Sequence, residues 1–288
     1  MKNPAKGDFM AEAVTVEIFI IGNEILIGDI QDTNTNWLCR EINGMGGRVA
    51  RAVVLRDEEQ DIAVELKGAL ARGAGVIITS GGLGPTADDL TLAAVARGAG
   101  VPLLLHEQAR RMISERYDEL TAQGVLTQGG LNPAREKMAW LPEGAVPVHN
   151  PVGTAPGVLL CAGQTHIISL PGVPSELKGI FSSSLQPFLL KMFRGGSSAH
   201  RTITVASNDE SIFEPVLSRV VKNHPGIYVK SLARTLGEAR EIDIILTCLG
   251  DDPPSLNSLL KAALVELQQG LDELAVGHRG KQGDVDAT

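Results

Sequence analysis

The chain has 288 residues, 43% of them hydrophobic, with 26 Lys and Arg against 34 Asp and Glu for a formal net charge of −8. That apolar content supplies the core of one large domain or two ordinary ones. The acidic balance, with Lys and Arg scattered along the chain, excludes an extended nucleic-acid groove or an anionic membrane surface as partner and leaves a small anionic ligand, bound locally.

Met1 to Ala13 carries Lys2, Lys6, Asp8 and Glu12 and has no long apolar run, so it reads as a flexible extension rather than a secretory signal. No apolar stretch approaches the length of a bilayer span. From Val14 to Gly100 strand and helix patterns alternate, with strands over 14–21, 48–55 and 76–79 and helices over 35–43, 58–72 and 89–99. Alternation of this kind implies an α/β domain with a mostly parallel sheet, whose ligands bind beyond the carboxyl ends of the strands. Three turns fall at such ends: Gly22 after the first strand, Asp57 after the second and Gly81 after the third.

The third turn is the most informative. Thr79-Ser80-Gly81-Gly82-Leu83-Gly84-Pro85-Thr86-Ala87-Asp88-Asp89-Leu90-Thr91 joins an apolar β-branched run to a helix that is expected to open with carboxylates. Gly81, Gly82 and Gly84 permit positive φ and close approach of backbone to an anion, while the N–H groups at a helix start favour negative charge. Asp88 and Asp89 would repel a phosphate unless a hard, oxygen-liganded cation such as Mg²⁺ lay between them, so a divalent metal, Mg²⁺, Mn²⁺ or Co²⁺, is the expected cofactor. A capping pair of Thr86 with Asp89 would account for the helix start alone, but the string is longer than capping requires.

Residues 106–140 are expected to be helical and connecting, and include Arg110, Arg111, Arg116, Arg135 and Lys137. Strand patterns follow at 145–148, 157–161 and 165–170. Between the first two lies Asn150-Pro151-Val152-Gly153-Thr154-Ala155-Pro156-Gly157, and after the last comes Leu170-Pro171-Gly172-Val173-Pro174-Ser175-Glu176, with Pro174 placed to begin a helix. Beyond a Gly195-Gly196-Ser197-Ser198 linker, strands at 202–206, 227–230 and 241–247 and helices at 209–221 and 255–268 make a small α+β unit, the first helix opening on a Ser207/Glu210 capping box. The domains are therefore expected over 14–194 and 199–275, with a disordered tail over 276–288. Cys39, Cys161 and Cys248 are odd in number, far apart and without metal-ligand spacing, so they read as mostly buried reduced thiols of a cytoplasmic protein.

The glycine string, the segment Gly22-Asn23-Glu24-Ile25-Leu26-Ile27-Gly28-Asp29 with Asp32-Thr33-Asn34, and the turns at 150–157 and 170–176 together resemble, in order, the N-terminal domain of the CinA competence/damage-inducible family. That domain is in turn similar to the molybdopterin-binding domains of molybdenum-cofactor biosynthesis proteins. The resemblance implies a three-layer nucleotide-binding domain from about Val14 to Leu190, a small following domain, a homo-oligomer (a dimer), and metal-dependent hydrolysis of ADP-ribose, or a related dinucleotide such as FAD, to AMP and a sugar phosphate. No stretch after Leu274 is long enough for the nicotinamide mononucleotide deamidase domain that many members carry. The family usually has an acidic or small polar residue at Asn23; Glu24 is retained.

On this reading Asp57, Asp88 and Asp89 are the catalytic candidates, and Glu24, Asp57 and Asp89 the metal ligands. Phosphate or nucleotide is assigned to Gly22, Asn34, Gly81, Gly82, Gly84, Thr86, Thr91, Arg135, Lys137, Asn150, Gly153, Thr154, Pro171, Gly172, Pro174 and Glu176. Two other functions use the same residues: binding of a molybdopterin-type ligand with adenylyl transfer, as in cofactor biosynthesis, and nucleotide binding without turnover.

Overall fold

The structure, a computed structural model, describes residues 14–193, 197–207, 209–232, 241–250 and 252–280. The expected extension at 1–13 lies outside these residues. The described residues divide into two compact units, one comprising 14–42 and 47–192, the other those from 193 to 280 together with 43–46.

The larger unit runs β1 (Thr15–Ile21), α1 (Asn23–Leu26), α2 (Asn34–Gly44), β2 (Arg48–Leu55), α3 (Glu59–Ala71), β3 (Val76–Ser80), α4 (Thr91–Ala99), β4 (Leu103–Leu105), α5 (Glu107–Ala122), α6 (Pro133–Lys137), β5 (Trp140–Pro142), β6 (Val146–Val148), β7 (Gly157–Ala162), β8 (Thr165–Leu170), α7 (Pro174–Ile180), a π-helical turn (Phe181–Leu185) and α8 (Gln186–Met192). Six strands form one sheet in the order β2-β1-β3-β8-β7-β6. The first four are mutually parallel and the last two antiparallel, so the fold is α/β with a mostly parallel sheet, as the alternating pattern predicts.

β1 and β3 lie at the centre, and their residues from Val16 to Ile21 and Val76 to Ser80 are buried. Successive side chains of a strand point to opposite faces, so burial of every residue requires a covering layer on both. On one face Phe19, Ile77 and Ile167 pack with Leu66 and Ala69 of α3, Leu92 and Val95 of α4, and Ala109 and Ile113 of α5. Burying an aliphatic side chain of this size contributes about 1.5–3 kcal/mol, which is why runs with no internal polar partner still form these strands. One charge sits among them: Glu17 of β1, 2% exposed, takes two hydrogen bonds from Arg72, from Nε at 2.8 Å and Nη2 at 2.7 Å.

The glycine string departs from expectation in one respect. The helix begins at Thr91 rather than Asp89, with no side-chain cap, and Asp88 and Asp89 lie in the preceding turn. The Thr86/Asp89 pair is present, Thr86 N donating to Asp89 Oδ2 at 2.8 Å, but it closes this turn and not the helix.

The smaller unit contains β9 (Ser197–Val205), a 3₁₀ turn (Glu210–Ile212), α9 (Glu214–Asn223), β10 (Ile227–Leu232), β11 (Ile242–Gly250), α10 (Pro253–Glu273) and β12 (His278–Gly280). Its antiparallel sheet has the order β10-β11-β9-β12. A β-α-β-β-α-β chain in that order is the ferredoxin-like arrangement, with Ile203, Ile244 and Leu246 packed on Val216 and Val220 of α9 and Leu260 and Leu267 of α10. Two expectations need correction here. The Ser207/Glu210 capping box is replaced by Asp209, whose carboxylate accepts from Ser211 N at 2.9 Å. Residues 278–280 of the expected tail are instead β12, paired with β9, while 281–288 lie outside the described residues.

Candidate functional site

The chain passes from β1 outward to β2 and then returns to the other side of β1 as β3. Connections therefore leave in opposite directions at this point, which opens a crevice at the carboxyl ends of the strands. A cavity of about 500 Å³ occupies it, lined by Ile20, Ile21 and Gly22 from the end of β1, Ser80 to Pro85 from the end of β3, and Pro171 to Pro174 from the end of β8. That volume suits a small organic ligand. A second cleft, of about 730 Å³, lies at the opposite ends of the strands among Gly73, Ala74, Gly75, Cys161, Gln164 and Thr165. It has a single carboxylate, Glu143, and lacks the concentration of polar groups found in the first.

The two glycine turns touch. Gly81 N donates to Leu170 O at 2.9 Å, and a methyl group added at Gly172 would lie 3.4 Å from Gly81 Cα. Gly81 has φ +114° and Gly82 φ +67°, the left-handed region that side chains avoid. At Gly81 a side chain is doubly excluded, because its first carbon would overlap the Ile21 carbonyl oxygen. Buried Asn34, at the start of α2, ties both turns from the side by donating Nδ2 to Ser80 Oγ at 3.1 Å and to Gly172 O at 2.8 Å. Ser80 Oγ in turn donates to Pro171 O at 3.3 Å, so this hydroxyl is committed to structure. Asn34 Oδ1 is buried without a partner. The Gly172 carbonyl, which can only accept, fixes the amide this way round.

Six carboxylates line the cavity, Glu24, Asp32, Asp57, Asp88, Asp89 and Glu176, and no Lys, Arg or His is among the described residues that do. Asp32 caps α2 through Thr35 N at 3.0 Å and the Thr35 hydroxyl. Asp57 accepts from Asn23 N at 2.8 Å and so holds the start of α1. Its carboxyl is pushed above the usual range by burial first, against the Asn23 hydrogen bond, with the charges of Glu24, Asp88 and Asp89 adding to the rise. Asp88 is held low by the Thr86 hydroxyl, its own backbone N–H and the Lys137 ammonium.

Resting beside these groups, a phosphate would meet uncompensated negative charge. Among the described residues no three Asp, Glu, His or Cys side chains stand close enough to hold a metal by themselves. The expected set of Glu24, Asp57 and Asp89 is therefore not a closed cage. All-oxygen donors of this kind fit a Mg²⁺-like ion that takes one or two carboxylates and completes its shell with water and ligand phosphate.

Of the residues assigned from the sequence, Gly22, Glu24, Asn34, Asp57, Gly81, Gly82, Gly84, Asp88, Asp89, Thr154, Pro171, Gly172, Pro174 and Glu176 line this one cavity. The others stand behind it. Thr91, fully buried, donates Oγ1 to Gly81 O at 2.8 Å and N to Gly82 O at 3.2 Å, holding the loop rather than a ligand. Thr86 is occupied by Asp88 and Asp89, and Lys137 by the Thr86 carbonyl. Arg135 is turned inward: its guanidinium lies 3.8 Å over the Tyr117 ring and donates to Gly129 O and Gly130 O at 2.8 and 2.7 Å. Two of its five N–H donors, both on Nη1, are thus given to carbonyls, and it is not among the residues lining the cavity.

Asn150 is 4% exposed and organises its turn, accepting Val152 N at 3.0 Å and Gly153 N at 2.8 Å and donating to Ala155 O at 2.8 Å and Glu176 Oε2 at 2.7 Å. A methyl at Gly153 would overlap the Glu176 carboxylate where it stands, so a side chain there would displace it. Arg116 of α5 grips the same turn from outside, Nε to Gly153 O at 3.1 Å and Nη2 to Val152 O at 2.9 Å. Sequence reasoning noted Arg116 only as local charge. The apolar part of the lining, Ile25, Ile30, Met138 and Val173, has no local sequence signal: Ile30 and Val173 are exposed, whereas Met138 is buried. Cys39, Cys161 and Cys248 are free thiols, of which only Cys248 is buried, so the expectation of mostly buried thiols is corrected.

The profile of the probable molybdopterin binding domain family matches residues 17–191. A protein of Pyrobaculum arsenaticum is 40% identical over 214 residues, covering 74% of this chain and 78% of that one. Another, of Pyrobaculum calidifontis, is 36% identical over 254 residues, covering 88% and 94%. Among solved structures, the protein CinA with unknown function from Thermoplasma acidophilum is 34% identical with a TM-score of 0.55, covering 61% of this chain and 98% of its own. The chain belongs to the probable molybdopterin binding domain family, and the part of it that matches contains the whole cavity.

Proposed function

We propose that the cavity binds a phosphorylated pterin of the molybdopterin type together with a divalent cation. The observation that carries this reading is the meeting of three strand-end turns in one cavity within the residues that match the family. The Gly81–Gly84 turn offers backbone to the phosphate, and the apolar residues Ile25, Ile30, Met138 and Val173 offer surface to the ring. With no basic side chain lining the cavity among the described residues, the cation supplies the positive charge that the phosphate needs. Asp57 and Asp89, with Glu24 or Asp88, are the residues that would hold it. The same loop would place an adenylate beside the pterin phosphate in an adenylyl transfer.

Hydrolysis of ADP-ribose is a second reading, favoured by Glu24, Asp57, Asp88 and Asp89 lining one cavity. In that reaction the carboxylates would orient water, which cleaves the pyrophosphate to AMP and ribose 5-phosphate.

One experiment tests both. Purified protein is titrated with 6-hydroxymethylpterin phosphate, followed by pterin fluorescence with and without Mg²⁺, and is separately incubated with ADP-ribose and Mg²⁺, Mn²⁺ or Co²⁺ and examined by phosphorus NMR. Saturable Mg²⁺-dependent pterin binding without AMP is the expected result. AMP release without pterin binding would replace the first reading by the second.

A further inference from the structure

Glu176 is unlike the other carboxylates of the cavity. Asp32, Asp57, Asp88 and Asp89 each accept hydrogen bonds from their own or an adjacent turn near the glycine string or α2. Glu176 is carried instead on α7 beyond the β8 turn, with Oε2 held at 2.7 Å by the buried Asn150 amide. Gly153, by lacking a side chain, leaves the space that the carboxylate fills, and Arg116 fixes the carbonyls of that turn. Two side chains, Asn150 of the turn and Arg116 of α5, together with Gly153 of the same turn, thus set the position of one carboxylate at the cavity wall.

An ionised carboxylate only accepts hydrogen bonds, so a Glu176 placed there repels phosphate and is matched by a ligand with donors. Apolar residues line the same cavity, among them Pro171, Val173 and Pro174 of the turn that leads into α7, and Ala155, whose carbonyl shares the Asn150 amide with Glu176; Val173 is 51% exposed. Such walls suit the face of a ring, and a planar ring edge with two adjacent N–H groups pairs with two carboxylate oxygens in a parallel fork, as a guanidinium does.

We infer that Glu176 is the specificity-determining residue for the ligand's ring, accepting from its adjacent N–H groups, and that Asn150 and Arg116 are positioning residues acting through it. This replaces the assignment of Glu176 to phosphate, and it rests on the pterin-phosphate reading above.

Two probes test it: 6-hydroxymethylpterin phosphate and the corresponding lumazine, in which an oxo group replaces the 2-amino group and presents an acceptor to the carboxylate. The unsubstituted protein with Mg²⁺ should prefer the pterin by at least about tenfold, because the lumazine leaves the carboxylate facing an acceptor. Glu176→Gln, which keeps an acceptor for Asn150 and can offer an N–H to the oxo group, should bring the ratio close to one or invert it. Glu176→Asp, a shorter carboxylate, should keep the preference while weakening both probes. A purely structural role predicts equal weakening of both probes with the ratio intact, so an unchanged ratio in Glu176→Gln overturns the inference while leaving pterin binding in place. Equal affinity of the unsubstituted protein for the two probes overturns it as well. Failure of the unsubstituted protein to bind either probe removes the pterin reading itself, and the inference with it.

Discussion

Replacement of Asn150 by alanine tests whether the 150–155 turn is preorganised as the structure implies. The amide makes four hydrogen bonds, at 3.0 and 2.8 Å from Val152 N and Gly153 N and at 2.8 and 2.7 Å to Ala155 O and Glu176 Oε2. A neutral hydrogen bond contributes about 1 kcal/mol net and one to a charged group about 1.5–3. Water can reach Val152 and Gly153, which are not buried, and recovers part of the loss. The expected cost is therefore about 3 kcal/mol, or a fall in Tm of roughly 6–12 °C for a domain of this size. Urea unfolding followed by circular dichroism measures it, and pterin-phosphate affinity should fall in parallel. Asn150→Asp gives a signed companion. It keeps the acceptor for the two backbone N–H groups but sets a second carboxylate against Glu176, and like charges at this distance raise the pKa of the pair in the folded state. A raised folded pKa stabilises the fold below the unfolded pKa and loses that contribution as pH rises through the folded one. Asn150→Asp should thus be least stable relative to the parent at neutral pH and recover as pH falls through the carboxylate range. A cost below about 1 kcal/mol for Asn150→Ala, with unchanged affinity and no pH dependence in Asn150→Asp, would refute the reasoning.

Gly81→Ala forces a side chain onto φ +114° and against the Ile21 carbonyl oxygen; the conformation alone costs about 1–2 kcal/mol, so Tm should drop clearly and ligand binding be lost in the same thermal-shift titration. Arg72→Met leaves the Glu17 carboxylate, 2% exposed, without its guanidinium; breaking a buried pair costs about 3–5 kcal/mol, reduced here to roughly 2 because the Arg72 side chain is 41% exposed and screened, as urea unfolding would show. Asp57→Asn, measured with EDTA present, removes an ionised carboxyl that burial and three neighbouring charges disfavour. It should raise Tm slightly at neutral pH, by about 0.5 kcal/mol or less in stability, and the two proteins should converge in acid, where Asp57 itself is protonated. Removal of Mg²⁺ should weaken pterin-phosphate binding at least about tenfold, since the cation offsets like charges in the cavity; equal calorimetric affinity in Mg²⁺ and in EDTA would count against the cation.

The parts of the site legible in sequence are those whose chemistry is local. Gly81, Gly82 and Gly172 announce turns because few other residues tolerate their backbone or their close approach, and the alternation of strands and helices places those turns at one end of a sheet. What the chain pattern does not carry is the direction of long side chains. Arg135 and Arg116 look equivalent as sequence, both basic and both in the connecting region, yet one is spent on Tyr117 and two carbonyls while the other clamps the turn that holds Asn150. Their targets lie 5 to 37 residues away, beyond any local rule. Thr91 is ambiguous in sequence for a related reason: a hydroxyl at a helix start after a glycine loop suits a phosphate equally well, and its complete burial with a hydrogen bond to Gly81 O shows its structural use.

The electrostatics of the cavity argue for division of labour among residues that sequence alone groups together. Among the described residues every lining charge is negative, and five of the six carboxylates are tied to a neighbour: Asp32 to the start of α2, Asp57 to the start of α1, Asp88 and Asp89 to Thr86, and Glu176 to Asn150. Carboxylates already accepting from their own turns are fixed in place at no cost on binding, which is what a metal–phosphate site needs. Glu176 is fixed equally firmly but on the opposite turn, so the same preorganisation there selects the other end of the ligand. A cavity of one sign can therefore hold an anionic ligand if its phosphate arrives with a cation and its ring presents donors, and dropping either condition sets a like charge or an acceptor against a carboxylate.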